Sequence, residues 1–137
     1  MELQVGVKIL FVNSAGKYLL LRRNQKKYPE MAVKWDIPGG RINPGTPLIE
    51  NLKREVKEET GFEFTTTPKL ISAQDILRIA DKHVVRLTYL GKIEGEPILS
   101  DEHDIYKWFT KDELRAIPRE EQDIYFQELV DSGVIFE

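Results

Sequence analysis

Two apolar stretches near the start of the chain flank a short polar segment. Residues 3–12 (LQVGVKILFV) are rich in β-branched and apolar side chains, and residues 18–21 (YLLL) resume this pattern after Asn13–Lys17. Because Asn, Ser and Gly favour tight turns, the pattern predicts a β-hairpin. The polar stretch 22–34 predicts a loop, and Trp35–Pro38 is expected to be extended because the residue before a proline avoids the α region.

The strongest helical pattern along the chain covers residues 47–60. Thr46 is the expected N-cap and Pro47 the expected first helical residue, since both residue types favour these positions. Gly61 is the expected C-terminal stop. The preceding segment 39–46 is rich in glycine and turn-forming residues, so it is predicted to be a loop that leads directly into this helix.

The remaining pattern predicts further strands and then helices. In chain order, these are extended runs at 62–65 and 69–79, a turn at Asp81–Lys82, strands at 83–93 and 106–109, and helices at 111–116 and 119–131 on either side of Pro118. This order of strands, helix, strands and helices favours an α/β (α+β) fold, in which a mixed β-sheet is covered by helices. The 137-residue length fits a single domain, residues 1–137.

Composition and charge exclude several classes of function. The net charge of −3 provides no chain-wide basic field, so no nucleic-acid partner is expected. The absence of Cys excludes disulfides, thiolate metal sites and Cys nucleophiles, and two His make a His-rich zinc site unexpected. No apolar run approaches the ~20 residues needed to cross a bilayer. The N-terminus (MELQVGVKIL) carries Lys8 within its apolar stretch, unlike a signal peptide, so a cytoplasmic protein is expected.

Three glutamates cluster on one side of the predicted helix. Projected at ~100° per residue, Glu55, Glu58 and Glu59 fall within about 100° of arc, beside the apolar face that includes Leu52 and Val56. Like charges at this spacing repel one another, and a divalent cation relieves the repulsion. Oxygen ligands favour Mg²⁺ or Mn²⁺ over zinc. The alternative is a solvated helix edge with interspersed Lys and Arg.

The segment from Gly40 to Phe62 (GRINPGTPLIENLKREVKEETGF) resembles the Nudix box of the Nudix (MutT-like) hydrolases. Gly40 occupies the first position, and residues 54–62 fill the last nine without a gap. The preceding WDIPG also resembles the usual lead-in of that family. Thr46 departs from the pattern, which has Glu at this position. Glu50, one helical turn before Arg54, is hypothesised to pair with Arg54 instead.

The resemblance implies a Nudix fold and a metal-dependent pyrophosphohydrolase. Such an enzyme cleaves the diphosphate bond of a nucleoside diphosphate linked to another moiety, with Mg²⁺, or alternatively Mn²⁺, as cofactor. The implied metal ligands are Glu55, Glu58, Glu59 and the backbone carbonyl of Gly39. The implied catalytic residues are Glu58, Glu55, Arg54, which orients the carboxylates, and Glu102, the candidate general base in the acidic loop 101–104.

Four residues are candidates for substrate binding: Arg22, Arg23, Trp35 and Gly40. Arg22 and Arg23 end the second predicted strand, where they either contact phosphate or remain ordinary surface arginines. Trp35 either stacks on a base or packs in the core. His83 and His103 are interpreted as plain surface or strand residues.

Two functions from different classes remain open at this point. The first is the hydrolase, and the alternative is a non-catalytic, nucleotide-binding regulatory domain, which the change at Thr46 permits. The group linked to the nucleoside diphosphate is also open: ADP-sugars, oxidised or ordinary nucleoside triphosphates and dinucleoside polyphosphates all fit. Residues 22–34 and 95–105 are the expected specificity loops. A small-molecule nucleotide is the expected partner, and a homodimer is an open possibility.

Overall fold

The computed structural model describes residues 1–27 and 34–137 of the chain, so part of the predicted loop 22–34 lies outside the described residues. The strands are β1 (Glu2–Val12), β2 (Tyr18–Arg23), β3 (Trp35–Asp36), β4 (Gly39–Arg41), β5 (Lys69–Ile76), β6 (Lys82–Lys92) and β7 (His103–Phe109). The α-helices are α1 (Leu48–Thr60), α2 (Lys111–Ala116) and α3 (Ile124–Ser132), with 3₁₀ turns at Arg119–Glu121 and Val134–Phe136.

The strands form one mixed sheet in which β1 is central. β1 pairs in parallel with β6 along its whole length, and β5 borders β6 on the far side. The other edge of β1 is shared, because Gly6–Lys8 pair with β4 whereas Val12 pairs with Tyr18 of β2. β2 also pairs with β3 and β7. The sheet therefore splits beside the first half of β1, and this split positions the clefts described below.

Helices cover both faces of the sheet, as the sequence predicts. Successive side chains of a strand point to opposite faces. On one face, Ile9 and Phe11 of β1 pack in a buried cluster with Leu52 of α1. On the other face, Leu10 packs in a second cluster with Phe126 of α3. The predicted α+β fold, with a mixed sheet sandwiched between helices, is confirmed.

The start of α1 differs from the predicted capping. The helix begins one residue later than predicted, and Pro47 rather than Thr46 occupies the N-cap position, without a side-chain capping hydrogen bond. The buried side chain of Asn51 bonds to the loop that precedes the helix instead. Its Nδ2 donates to the carbonyl oxygens of Thr46 and Pro47, both at 2.9 Å, and its Oδ1 accepts from the N–H of Asn43 at 2.9 Å. One side chain thus fixes the loop that enters the helix.

Three other predicted strand and loop segments also differ from the structure. Residues 62–65 do not form a strand; instead, the rings of Phe62 and Phe64 pack edge-on against Phe11, with centroids 5.9 and 5.8 Å away. Part of the predicted loop 39–46 pairs with β1 as β4. The strand predicted for 69–79 ends at residue 76.

The predicted helix 119–131 is divided into a 3₁₀ turn and α3. α3 starts after Asp123, whose side chain accepts a hydrogen bond from the N–H of Phe126 at 3.1 Å and so caps a new helix. Gly133 ends this helix in the left-handed conformation, as Gly61 ends α1. Within the described residues, none of the helices combines the length and the apolar character needed to cross a bilayer.

Candidate active site

The three glutamates of α1 line one side of a small cleft of about 160 Å³. Their exposure follows their distance from the apolar stripe of the helix. Glu59 is 8% exposed, the side chain of Glu55 is 18% exposed and that of Glu58 is 60% exposed. The helical projection predicts this order, because Glu59 lies nearest to the buried face and Glu58 lies furthest from it.

The opposite side of this acidic cleft is formed by the loop before β7, which contributes Ser100, Asp101 and Glu102. The loop is held in place at two points. The N–H of Ile98 donates to the carbonyl oxygen of Thr60 at the end of α1, at 2.8 Å. The backbone N–H and side-chain amide of Asn24 donate to the carbonyl oxygens of Glu102 and Asp101, both at 2.8 Å. Glu102, the predicted general base, therefore faces the α1 glutamates.

Glu59 is the most strongly perturbed carboxyl group in the cleft. Burial raises its pKa, and the charges of Asp36 and Glu55 raise it further. The charge of Lys8 and a hydrogen bond from the N–H of Gly39, at 3.1 Å, lower it. The resulting pKa is about 7, so the carboxyl group is poised between its protonated and ionised forms at neutral pH.

Arg54 lies against two of the glutamates, as the resemblance implies. Its Nη2 is 3.0 Å from Glu55 Oε1, and its Nε is 3.9 Å from Glu58 Oε1. Within the described residues these are its ion-pair partners, so the hypothesised pair with Glu50 is wrong. The Glu55 carboxylate also packs against Gly40, where a Cβ atom would lie only 2.8 Å from it. Glu55 is thus held between Arg54 and a glycine.

The acidic cleft offers only oxygen donors, the donor type that Mg²⁺ and Mn²⁺ prefer. Among the described residues, no group of three or more His, Asp or Glu side chains is arranged closely enough to enclose a metal ion. Glu55 is engaged by Arg54 and Glu59 by Gly39. Mg²⁺ in phosphate-transfer sites usually keeps waters and is bound by a few carboxylates plus substrate oxygens. The donor set therefore suits Mg²⁺ or Mn²⁺, and water or another ligand would have to supply the remaining oxygens.

A second, larger cleft of about 360 Å³ adjoins the acidic one and shares Glu59 and Glu102 with it. We call it the nucleoside-sized cleft because its volume falls within the range of small-molecule sites. It lies where the sheet splits, and Gly6 and Gly40 leave its surface open. Its cationic side chains are those of Lys8, Arg23, Arg41, Arg78 and Arg86.

The four predicted substrate-binding residues are divided between two environments. Arg23 and Gly40 line the nucleoside-sized cleft. Arg22 does not, since its Nε and Nη2 donate to the carboxylate of Asp104 at 3.3 and 3.4 Å. Trp35 packs edge-on against the ring of Phe109, 5.0 Å between centroids, which favours the core alternative for this residue.

Asp36 lies in the larger cleft and was not singled out from the sequence. Burial raises its pKa, but the charges of Lys8 and Arg86, the N–H of Ile37 and the charge of His103 outweigh this effect and bring the pKa down to about 2. Its Oδ2 is 3.3 Å from Lys8 Nζ. The carboxylate therefore stays ionised at neutral pH. The sequence feature that could have identified Asp36 is its position in the WDIPG segment before the Nudix box.

Arg86 and His103 are two buried residues of this cleft that were not among the site candidates from the sequence. Arg86 is 5% exposed and His103 is 7% exposed, and both line the nucleoside-sized cleft. His103 begins strand β7, which agrees with its interpretation as a strand residue, but it is buried rather than at the surface. Burial lowers the pKa of His103, although the charge of Asp36 opposes this effect. His83, in contrast, forms a partly exposed contact with Asp75 at 2.7 Å.

Comparisons with known proteins agree with this architecture. A family model described as "NUDIX domain" matches residues 2–129. The solved structure of a MutT protein from Methanosarcina mazei Go1 superposes with a TM-score of 0.78 and 30% identity, covering 95% of this chain and 91% of that one.

Two curated relatives extend the comparison. The "Putative 8-oxo-dGTP diphosphatase" of Bacillus subtilis is 30% identical over 70% of this chain, a match that spans only 58% of the Bacillus protein. The "Bis(5'-nucleosyl)-tetraphosphatase [asymmetrical]" of Rattus norvegicus is 28% identical over 80% of this chain and 75% of that protein. The family model covers nearly the whole sequence, and the chain therefore belongs to the NUDIX family.

Proposed function

We propose that this protein is a metal-dependent pyrophosphohydrolase that cleaves the diphosphate bond of a nucleoside diphosphate linked to another moiety. The observation that carries this proposal is the acidic cleft, in which Glu55, Glu58 and Glu59 face Glu102 across a gap that opens into the nucleoside-sized cleft. The names of the Bacillus and rat relatives, a diphosphatase and a tetraphosphatase, support the same reaction class.

The residues that would hold Mg²⁺, or alternatively Mn²⁺, are Glu55, Glu58 and Glu59, together with the backbone carbonyl of Gly39. When bound, such an ion neutralises phosphate charge and acidifies a water molecule. Arg54 orients Glu55 and Glu58 through its two contacts. Thr46 leaves the site without the box carboxylate, and the Asn51 amide positions the entering loop there instead.

In this proposal, different parts of a nucleotide bind in the two clefts. The phosphates would lie over the acidic cleft, where Glu55, Glu58 and Glu59 would hold an ion that neutralises phosphate charge. The nucleoside lies in the larger cleft, where Arg23 approaches from β2. Glu102 lies at the junction of the two clefts and accepts the proton of the attacking water.

Glu58→Gln is expected to remove turnover while leaving folding and nucleotide binding intact. The side chain is 60% exposed, so its replacement does not disturb the core. Loss of a metal ligand is expected to lower kcat/KM by about 100-fold or more. The measurement is product identification on a panel of nucleotides with Mg²⁺, with Mn²⁺ and with EDTA, which should abolish turnover. Unmutated protein that binds nucleotides but hydrolyses none would favour the non-catalytic alternative.

Glu102→Gln tests the assignment of the general base. We expect kcat to fall about 100-fold or more, with little change in KM, since the variant still presents an oxygen to the cleft. The matched control is Asp101→Asn, one residue away in the same loop, whose side chain is 81% exposed and lies 3.4 Å from Lys27 Nζ. Equal effects of the two substitutions on kcat would mean that Glu102 acts only through the charge of the loop.

A further inference from the structure

We propose that Arg86 selects the base of the substrate, and that the preferred base carries two adjacent hydrogen-bond acceptors, as guanine and cytosine do. This inference rests on the proposed function, since it assigns the base of a nucleotide to the nucleoside-sized cleft. It names a residue on β6, outside the Nudix box and outside all candidates that the sequence provided.

The guanidinium of Arg86 is held at one end, and the N–H groups of its other edge have no partner in the part of the chain that the structure describes. Its Nη1 donates to Asp123 Oδ2 at 2.7 Å, and Asp123 is itself fixed as the N-cap of α3. Its Nε and Nη2 are buried and have no hydrogen-bond partner among the described residues. In a guanidinium these two N–H groups are parallel donors on one edge. Arg86, a lining residue of the cleft, therefore carries an oriented, buried donor pair for which residues 1–27 and 34–137 supply no acceptor.

The surroundings of this donor pair favour a neutral base over a phosphate. Asp123 already balances the charge of Arg86, and Asp36 is close enough for Arg86 to lower its pKa. Glu59 lines the same cleft. A phosphate placed here would meet these three carboxylates, whereas a base edge accepts two hydrogen bonds without bringing a negative charge.

The donor pair discriminates between bases by the pattern on their edges. Guanine presents O6 beside N7, and cytosine presents O2 beside N3, so each offers two neighbouring acceptors. Adenine places a donor beside N7, and thymine places N3–H between its two oxygens. In 8-oxoguanine, N7 carries a hydrogen and becomes a donor. The same edge that accepts guanine therefore opposes 8-oxoguanine.

The test is equilibrium binding of nucleoside monophosphates to the full chain in EDTA, which does not depend on hydrolysis. By calorimetry, we expect dGMP or dCMP to bind at least about 10-fold more tightly than dAMP and dTMP. If guanine is the preferred base, 7-deaza-dGMP and 8-oxo-dGMP should each lose about 10-fold relative to dGMP. If cytosine is preferred, 7-deaza-dGMP and dGMP should instead bind equally weakly. All of these binding measurements use the unmutated chain, and the comparison of the four monophosphates remains decisive if variants fold poorly.

Arg86→Lys supplies the protein side of the test. Lysine keeps the charge near Asp123 but cannot present two parallel donors, so the base preference should fall to within about 3-fold. The matched control is Arg119→Lys, which changes an arginine outside both clefts. Its side chain is 71% exposed and lies 3.1 Å from Asp131, so the substitution should leave the preference unchanged.

Three results would overturn the inference: equal binding of all four monophosphates, tightest binding of dAMP or dTMP, or a preference that survives in Arg86→Lys. If dGMP binds most tightly of the four, tighter binding of 8-oxo-dGMP than of dGMP would also overturn it. Hydrolysis of nucleotides without base preference would overturn the inference and leave the proposed function standing. Base-selective binding without hydrolysis of any nucleotide would support the role of Arg86 and overturn the proposed hydrolase function.

Discussion

Gly39→Ala is expected to leave little folded protein. Gly39 has a φ of 144°, and a Cβ atom there would lie 2.0 Å from the carbonyl oxygen of Val7 and 2.8 Å from the Cα of Lys8. Both atoms belong to the backbone of β1, and Gly39 pairs directly with Lys8. The strands cannot separate without breaking this pairing. We therefore expect the free energy of unfolding to fall by more than about 4 kcal/mol, a larger loss than most single substitutions cause.

The matched control is Gly45→Ala, in the loop before α1. Gly45 also has a positive φ, 88°, but no described atom lies within 4 Å of the position of its Cβ. Only the backbone penalty remains there, about 1–2 kcal/mol. Urea unfolding followed by circular dichroism compares the two variants. If the two variants lost a similar amount of stability, the backbone of β4 would not pack against β1 as closely as the structure shows.

This contrast also shows which features were predictable from sequence. The C-terminus and buried face of α1 depend on local rules, namely a left-handed glycine at Gly61 and the helical period, and both predictions are confirmed. The position of Gly39 depends on its distant neighbour Val7 in β1. The local sequence pattern does not reveal this contact, and the pattern of residues 39–46 therefore predicts a loop rather than strand β4.

The missed residues of the larger cleft have the same physical explanation. Arg86 is placed beside Gly6 by the parallel pairing of β6 with β1, about 80 residues away in the chain, and it is buried there by Asp123 of a third element. His103 is buried where β7 meets Arg23 of β2. A strand pattern shows which residues share a face but does not show which strand lies next to it. The α1 glutamates were predictable because a single helix positions them.

Glu59→Gln is expected to stabilise the metal-free protein at pH 8 and to impair hydrolysis. Burial first, and then the charges of Asp36 and Glu55, raise the pKa of Glu59 from an ordinary 4.5 to about 7 in the folded state. At a pH between these two values, Glu59 is ionised in the unfolded chain but keeps its proton in the folded protein. Stability therefore falls as the pH rises from about 4.5 to about 7, and remains low above that range.

The size of this effect follows from the two pKa values. Each tenfold change in the ionisation equilibrium corresponds to about 1.4 kcal/mol, so the full penalty at pH 8 is about 3 kcal/mol. Glutamine resembles the protonated carboxyl group, does not titrate and can still accept the N–H of Gly39. The variant should therefore exceed the unmutated protein in stability at pH 8 and match it near pH 4.5.

Urea unfolding in EDTA at both pH values measures this difference, and Glu58→Gln is the matched control. This control removes the same charge from the neighbouring position of α1. Because the Glu58 side chain is 60% exposed, the substitution should give little pH-dependent gain in the free energy of unfolding. Adding Mg²⁺ should narrow or reverse the stability difference between Glu59→Gln and the unmutated protein, because an ion that binds the ionised carboxylate stabilises the unmutated protein more than the variant. A Glu59→Gln variant that remained more stable by the same amount with and without Mg²⁺ would show that Glu59 does not bind the ion. The destabilising burial of this carboxylate would then need a different explanation from the metal site that we assign to it.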